Sequence, residues 1–238
     1  RSNNKNQIGY KENYSQYLVR LEKVWQECIR VLKDDGTIWI NINSRKIDAK
    51  YYGIHLDFIK SLNKLGLKLI ETIIWHKSSS IPVGENNFTD RFEYILGFAK
   101  SNAKSIIFNN IYFSDYKNEE FQEKGINIWN MNRISGSLTK GLDHPAMFPE
   151  ELPKRIIQIF TSSGDFVLDP FLGSGSTMVA AIESSRSCIG FELNKDYKPV
   201  IKEKVFKANS DIFKNKDEFF NSVLFLLILR KNLFSTGS

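Results

Sequence analysis

Val167-Leu168-Asp169-Pro170-Phe171-Leu172-Gly173-Ser174-Gly175-Ser176-Thr177 decides how this chain folds. The apolar run Phe166 to Leu168 stops at a carboxylate. A turn of small residues follows, and helix-forming residues run from Thr177 to Ile182. Strand, glycine turn and helix start in that order make a ligand cradle. Glycines let backbone N–H groups come close to a bound group, and the first turn of a helix presents unpaired donors. Two phosphate loops are excluded by composition. A Walker loop ends in Gly-Lys-Ser/Thr, whereas Gly175 is followed by Ser176 and Thr177. The dinucleotide fingerprint needs a third glycine where Met178 stands. A carboxylate at the strand end would repel a pyrophosphate. It suits a ligand with an ammonium group, such as the methionine part of S-adenosylmethionine (AdoMet).

A second apolar run, Cys188-Ile189-Gly190-Phe191-Glu192-Leu193, also ends in an acid, 19 positions after Gly173. That is near the spacing at which a carboxylate accepts both ribose hydroxyls. A surface glutamate at a strand end is the plain alternative for Glu192 alone.

The rest of the chain predicts alternating helices and strands. Tyr14, Tyr17, Leu18, Leu21, Val24, Trp25, Cys28, Ile29 and Leu32 recur at helical spacing, so Asn13 to Leu32 is an amphipathic helix, ended by Asp34-Asp35-Gly36. Thr37 to Ile42 is β-branched and apolar, as for a strand covered on both faces. Residues 54 to 65 predict a helix with Gly66 as its stop, and Leu67 to Trp75 and Phe92 to Phe98 predict strands. Pro149 to Phe160 predicts a helix, with Glu150 and Glu151 near its positive end and Pro153 close to its start. The fold class is therefore α/β, with a mixed, mostly parallel sheet and helices on both faces.

Two stretches break the alternation. Ser78 to Asp90 is a long loop containing Pro82, Gly84, Asn86 and Asn87. Residues 101 to 143 are polar and irregular. There Lys104, Lys117, Lys124, Arg133 and Lys140 interleave with Phe108, Tyr112, Phe113, Tyr116 and Trp129. Such a segment suits DNA, with cations on phosphates and aromatics wedged or stacked on bases. The alternative is a solvated insert whose aromatics merely pin it to the body. From 211 onward, Phe213, Phe219, Phe220 and Val223 to Leu229 form an apolar helix or strand, either core or a subunit contact such as a homodimer would use.

Composition narrows the class. The chain has 238 residues, enough for one sizeable domain or one with a small insert. Its 33 basic and 27 acidic residues leave a net charge of +6, a mild lean toward a polyanionic partner. Cys28 and Cys188 fall on apolar patterns and read as free, buried thiols of a reducing cytosol. The opening residues carry no signal-peptide pattern, and the longest apolar run is far short of a membrane span. A cytoplasmic protein without a membrane partner is expected. The histidines are His55, His76 and His144, and no cysteine pair has ligand spacing, so no metal site is expected.

The Asp169 loop resembles the AdoMet-binding motif of amino-group DNA methyltransferases, which methylate adenine N6 or cytosine N4. His144-Pro145-Ala146-Met147-Phe148-Pro149-Glu150-Glu151-Leu152-Pro153 resembles that family's other cofactor-binding segment in the permuted order called the beta class. There the catalytic half comes first, then a target-recognition region, then the cofactor half. Asp35 to Asn41, Ile73 to Lys77 and Arg91 to Ile95 are partial matches, and the resemblance runs over residues 10 to 205. It implies a Rossmann-like methyltransferase fold. Residues 1–100 would belong to the catalytic half, 101–143 to a target-recognition insert, 144–210 to the AdoMet-binding half and 211–238 to a C-terminal extension. It implies AdoMet as cofactor and double-stranded DNA as partner, in a restriction-modification setting. Asp169 would serve the methionine end, and Pro170 belongs to the same loop. Gly173, Ser174 and Gly175 would give close backbone approach, Thr177 would start the helix, and Glu192 would take the ribose. Phe171 and Phe148 would pack against the cofactor body, with His144 and Pro149 shaping that wall. A turn histidine and a plain core aromatic are the alternatives for His144 and Phe171.

The family's catalytic tetrapeptide is an acidic or serine residue followed by Pro-Pro-aromatic, and no Pro-Pro occurs in this sequence. In the permuted order it belongs upstream of Arg1, on a strand between those ending at Asp169 and Ile42. The catalytic residues are therefore expected outside this sequence, on a missing N-terminal segment or a second subunit. Two further readings stay open: a non-catalytic, AdoMet-binding and DNA-contacting module, and a methyltransferase acting on RNA or a small molecule.

Overall fold

The computed structural model describes residues 7–47, 50–78, 88–113, 117, 119–132 and 148–209. Its elements, in chain order, are α1 (Tyr14–Val31), β1 (Thr37–Ile42), β2 (Arg45–Ile47), β3 (Lys50–Tyr52), α2 (Ile54–Lys64), β4 (Leu67–His76), β5 (Phe92–Lys100), α3 (Glu119–Lys124), β6 (Ile128–Asn130), α4 (Glu151–Phe160), β7 (Phe166–Asp169), α5 (Ser176–Glu183), β8 (Ser187–Gly190) and α6 (Tyr197–Ala208). They fall into two compact units. One comprises residues 18–135 and 158–162, the other 1–17, 136–157 and 163–238.

The first of these units is built on a four-stranded sheet of order β1-β5-β4-β6. β5 is its central strand, and Ile95 to Ala99 are buried in succession, so both faces of β5 are covered. Trp39 of β1 stands opposite Gly97, and its indole lies across that glycine and against Phe160 at 4.5 Å. The indole Nε1 donates to Thr37 Oγ1 at 3.0 Å. α1 starts with a reciprocal cap: Gln16 N–H donates to Asn13 Oδ1 at 2.9 Å, and Asn13 N–H to Gln16 Oε1 at 3.1 Å. It buries Leu21 and Trp25, and Trp25 meets Phe58 of α2 edge-on at 4.7 Å. The Ser61 hydroxyl of α2 donates to Glu22. Gly66, in the left-handed region at φ 88°, closes α2 where the sequence predicts its stop.

Three expectations change here. The sheet is mixed, but parallel pairing does not predominate among the described strands. β5 is antiparallel to both β1 and β4, and only β4–β6 and β7–β8 are parallel. β4 ends at His76 and β5 begins at Phe92; an antiparallel pair can be joined by a short connection, whereas a parallel pair needs a crossover. β1 is an edge strand among the described residues and is half-buried throughout, not covered on both faces. Residues 101–143 are not wholly irregular: α3 forms within them, and β6 adds a strand parallel to β4. Both are shorter than the window in which periodicity can be read. The described part of this insert lies in the same compact unit as β1 to β5.

The second unit holds α5, β7, β8 and α6 together with the first turns of α4. β7 and β8 pair in parallel, with Phe166 opposite Ser187 and Asp169 opposite Gly190. One face of the pair, Val167 and Cys188, packs on Ile157, Ala180 and Ala181. Neither Cys28 nor Cys188 is in a disulfide, and each is half-buried where the sequence predicts burial. No described helix is long and apolar enough to cross a membrane. The apolar run from 211 onward lies outside the described residues.

Gly97→Ala would place a Cβ 2.5 Å from the Trp39 ring. The expected cost is about 1–3 kcal/mol of overpacking strain. It should appear as a lower denaturant midpoint at unchanged m value in tryptophan-fluorescence unfolding.

Candidate functional site

The site is the turn after β7. Past the strands, the ladder continues: Phe191 N–H donates to the Asp169 carbonyl and Leu172 N–H to the Phe191 carbonyl, both at 2.9 Å. The chain folds back over the end of β8, where only glycine fits. A Cβ on Gly190 would stand 2.6 Å from the Leu172 side chain. Leu172 is buried with Tyr197, Ile201 and Val205 of α6, which fastens the turn from below. Gly173 and Gly175 then take left-handed conformations at φ 54° and 87°. Gly175 caps α5, and a Cβ there would already touch Ile201 at 3.4 Å.

Glu192 locks this geometry. Its Oε2 accepts Gly173 N–H at 2.8 Å, and its Oε1 accepts Asn194 N–H at 2.6 Å. The sequence predicts a ribose acceptor at this position; the structure gives Glu192 the further task of holding the glycine turn to the end of β8. Each carboxylate oxygen keeps a lone pair for a ligand hydroxyl.

Asp169 sits where strand becomes turn. It accepts Phe171 N–H at 2.9 Å and a hydrogen bond from the Thr177 side chain. Burial raises its pKa above the usual carboxylate value, and those two hydrogen bonds pull only weakly the other way. No ion pair reaches Asp169 among the described residues. A desolvated carboxylate served only by neutral donors is complementary to a cation. Cys188 feels the same environment: burial first, then the Asp169 charge, push its thiol up to about 12.

The other predicted residues gather round this turn. Pro170 follows Asp169 directly, Ser174 is buried, and Phe171 is 52% exposed, so it is not a core aromatic. The carbonyl of Phe148 accepts the Ser176 hydroxyl at 3.5 Å, and that of Pro149 accepts Leu152 N–H at 3.1 Å, which starts α4. Lys204 pairs with Glu150 at 2.9 Å and Lys154 with Glu183 at 2.8 Å, tying this segment to α6 and α5. His144 lies outside the described residues. Sequence reasoning missed Leu172, Asn194 and Ser176 as parts of the cradle. Gly190, a glycine inside an apolar strand, carried a legible signal of close backbone approach.

The basic insert divides differently. Lys104 and Lys117 are exposed. Lys124 pairs with Glu120 at 3.2 Å and lies 5.1 Å from the centre of the Tyr112 ring. Arg133 and Lys140 lie outside the described residues. The insert's aromatics divide: Trp129 and Tyr112 are buried, and Phe108 is 50% exposed. Tyr112 donates to Gln158 Oε1 at 2.6 Å, and Phe108 contacts Phe113 at 5.0 Å and Phe160 at 5.5 Å. No group of residues suited to hold a metal ion occurs among the described residues.

Comparison with known proteins now bears on this cradle. The sequence model of the N6/N4 methyltransferase family, described as DNA methylase, matches residues 1–203. The chain belongs to this DNA methylase family. It is 36% identical over 200 residues to the type II methyltransferase M.MjaI of Methanocaldococcus jannaschii, covering 78% of this chain and 66% of that protein. It is 34% identical over 209 residues to the type II methyltransferase M.MthZI of Methanothermobacter thermautotrophicus, covering 78% of this chain and 58% of that one. This chain thus spans 66% and 58% of the length of those two relatives. Among solved structures, a DNA modification methylase from Thermus thermophilus, crystallised with S-adenosyl-L-methionine, superposes with a TM-score of 0.63 at 28% identity, covering 85% of this chain and 82% of that one. The methylase chain has the Rossmann-like α/β fold of AdoMet-dependent methyltransferases.

At pH 8 a thiol titrating near 12 has roughly a thousandth of the thiolate of one titrating near 9. In a Cys28→Ser variant, Cys188 should therefore react with Ellman's reagent at least about a hundredfold more slowly in the folded methylase than in denaturant.

Proposed function

We propose that this methylase chain holds AdoMet at the Asp169 turn and serves the transfer of its methyl group to an exocyclic amine, adenine N6 or cytosine N4, of duplex DNA. Site-specific modification within a restriction-modification system is the setting that its relatives' description as type II methyltransferases supports, and the cytoplasm is the proposed place. One observation carries the reading: a desolvated carboxylate with neutral donors only, beside two left-handed glycines and the start of α5. That arrangement accepts an ammonium group and repels a phosphate. It therefore fits the methionine end of AdoMet and not a phosphate-bearing cofactor.

Each residue then has a stated task. Asp169 binds the ligand ammonium, and Thr177 and Phe171 N–H fix the carboxylate's direction. Gly173, Ser174 and Gly175 allow close backbone approach. Glu192 holds the turn and keeps free lone pairs for ribose hydroxyls. Phe148 and Phe171 are proposed to pack against the purine, with Pro149 shaping that wall and Pro170 completing the loop; the same role is proposed for His144, which lies outside the described residues. Bound AdoMet supplies an electrophilic methyl group. The acceptor amine is a weak nucleophile because its lone pair is delocalised into the base, so positioning and dipoles must align it. The base must also leave the duplex stack to be reached. Lys104, Lys117, Lys124, Arg133 and Lys140 are proposed as phosphate contacts.

The acid-or-serine Pro-Pro-aromatic group that would grip the amine is supplied, in this reading, by another segment or a second subunit. β7 pairs only with β8 among the described residues, so its other edge can take a further strand. The beta-class order of motifs agrees with the placement of 144–153 ahead of the turn.

Calorimetry with AdoMet and its demethylated product on the folded chain is the direct test; absence of heat with both would end the proposal. With tritiated AdoMet, label should enter duplex DNA in preference to RNA. Transfer should need the Pro-Pro-bearing segment added to the chain.

Asp169→Asn separates stability from binding. The folded pKa is raised, so this site's contribution to stability is full below about 3.8 and is lost as pH rises through the folded value. The neutral amide can keep the hydrogen bond from Phe171. The variant should melt no lower than the parent at pH 7, yet bind AdoMet about 10- to 100-fold more weakly through loss of a charge-assisted contact.

A further inference from the structure

The carboxyl edge of the four-stranded sheet carries a second cluster of cations and aromatics. β1 and β4 both run antiparallel to β5, so their carboxyl ends lie at the same edge of the sheet. The hairpin β2–β3 follows β1 directly at that edge. Its register places Lys46 opposite Tyr51, on one face, and Arg45 opposite Tyr52, on the other. Lys50 shares the Tyr52 face, with Nζ 5.1 Å from that ring's centre. The sequence from Arg45 to Tyr52 has three cations against one acid, Asp48.

An aromatic platform lies at the same edge. Tyr94, at the start of β5, stacks on His55 at 4.0 Å with planes 14° apart, and Phe92 meets Tyr94 edge-on at 5.3 Å. The His55 ring is fixed by Ser44 Oγ at 2.6 Å from its Nδ1. Burial first, and then the charge of Tyr51, raise the Tyr94 pKa. Yet Tyr51 is 61% exposed and Phe92 is 38% exposed. A platform of rings rimmed by cations is what unstacked or deformed nucleic acid binds: phosphates meet the cations and bases meet the rings. In the 101–143 insert, Trp129 and Tyr112 are buried and Lys124 is paired, while Phe108 stays half-exposed.

We propose that the β2–β3 hairpin is a DNA-contacting element of this chain, with Arg45, Lys46 and Lys50 on the phosphates and Tyr51 against a base or sugar. It rests on the reading of the chain as a methylase of duplex DNA and adds a contact surface that neither the cofactor turn nor the insert provides.

The test is fluorescence anisotropy of the full chain with a labelled duplex of about 30 base pairs, from about 50 to 200 mM salt. AdoMet calorimetry on each variant checks that the cofactor unit is intact. The triple variant Arg45→Ala, Lys46→Ala, Lys50→Ala should bind at least about tenfold more weakly and lose about 2–3 units of salt slope. Tyr51→Ala should weaken binding about fivefold or more at unchanged slope. The charge-conserving triple Arg45→Lys, Lys46→Arg, Lys50→Arg should bind like the parent. Parental affinity and slope in the alanine triple, with AdoMet heat retained, would overturn the assignment. So would a charge-conserving triple as weak as the alanine one, or a parent chain that binds AdoMet but no duplex. A parent that binds neither ligand would instead bring down the methylase reading and this surface with it.

Discussion

A half-buried carboxylate at a strand end, with no ion pair among the described residues, is the constraint around which the Asp169 turn is arranged. Asp169 ends β7, and among the described residues it is met by an N–H and a hydroxyl. Such a group raises its own pKa, raises that of Cys188 behind it, and lowers the stability of the fold that carries it. Proteins keep such costs where a ligand offsets them. The turn is accordingly held from several sides: Glu192 on Gly173, Leu172 in the α6 cluster, and Gly190 making room for Leu172. None of these tethers depends on Asp169 being charged. The cradle can therefore stand ready before its ligand arrives.

The other unit solves a different problem. Its central strand is apolar on both faces, and its neighbours run antiparallel to it. That arrangement brings the carboxyl ends of β1 and β4 and the start of β5 to one edge. Residues far apart in sequence meet there: Ser44 with His55, His55 with Tyr94, and Lys77 with Glu93 at 2.5 Å. Loops at such an edge can vary while the sheet beneath stays rigid. Polar contacts gather at this edge and apolar packing along the strands.

Long, strongly patterned elements are legible from residues alone. The helix over Tyr14–Val31, the strand Thr37–Ile42, the stop at Gly66 and the helix ending at Phe160 all stand within a few residues of where periodicity and capping put them. The Asp169 turn is legible because each of its residue types serves a local backbone need. Short elements are not. α3 and β6 have 6 and 3 residues, too few for a period to show. The direction of β5 is hidden too, because a sequence does not reveal whether a loop crosses over the sheet or turns back beside it. The role of Glu192 is half visible: its place at a strand end is a matter of sequence, but its bond to Gly173 spans 19 residues.

The sequence by itself determined the shape of the Asp169 turn, since a strand-ending acid, two glycines and a helix start lie close together and act through the local backbone. Only the tertiary structure decided which aromatics face inward and which face solvent. Trp129 and Tyr51 both stand at the middle of three-residue strands, yet one is 1% exposed and the other 61%. Burial is a property of what comes from elsewhere to cover a ring, and that is settled by the pairing of β6 with β4 and by the register of β2 with β3.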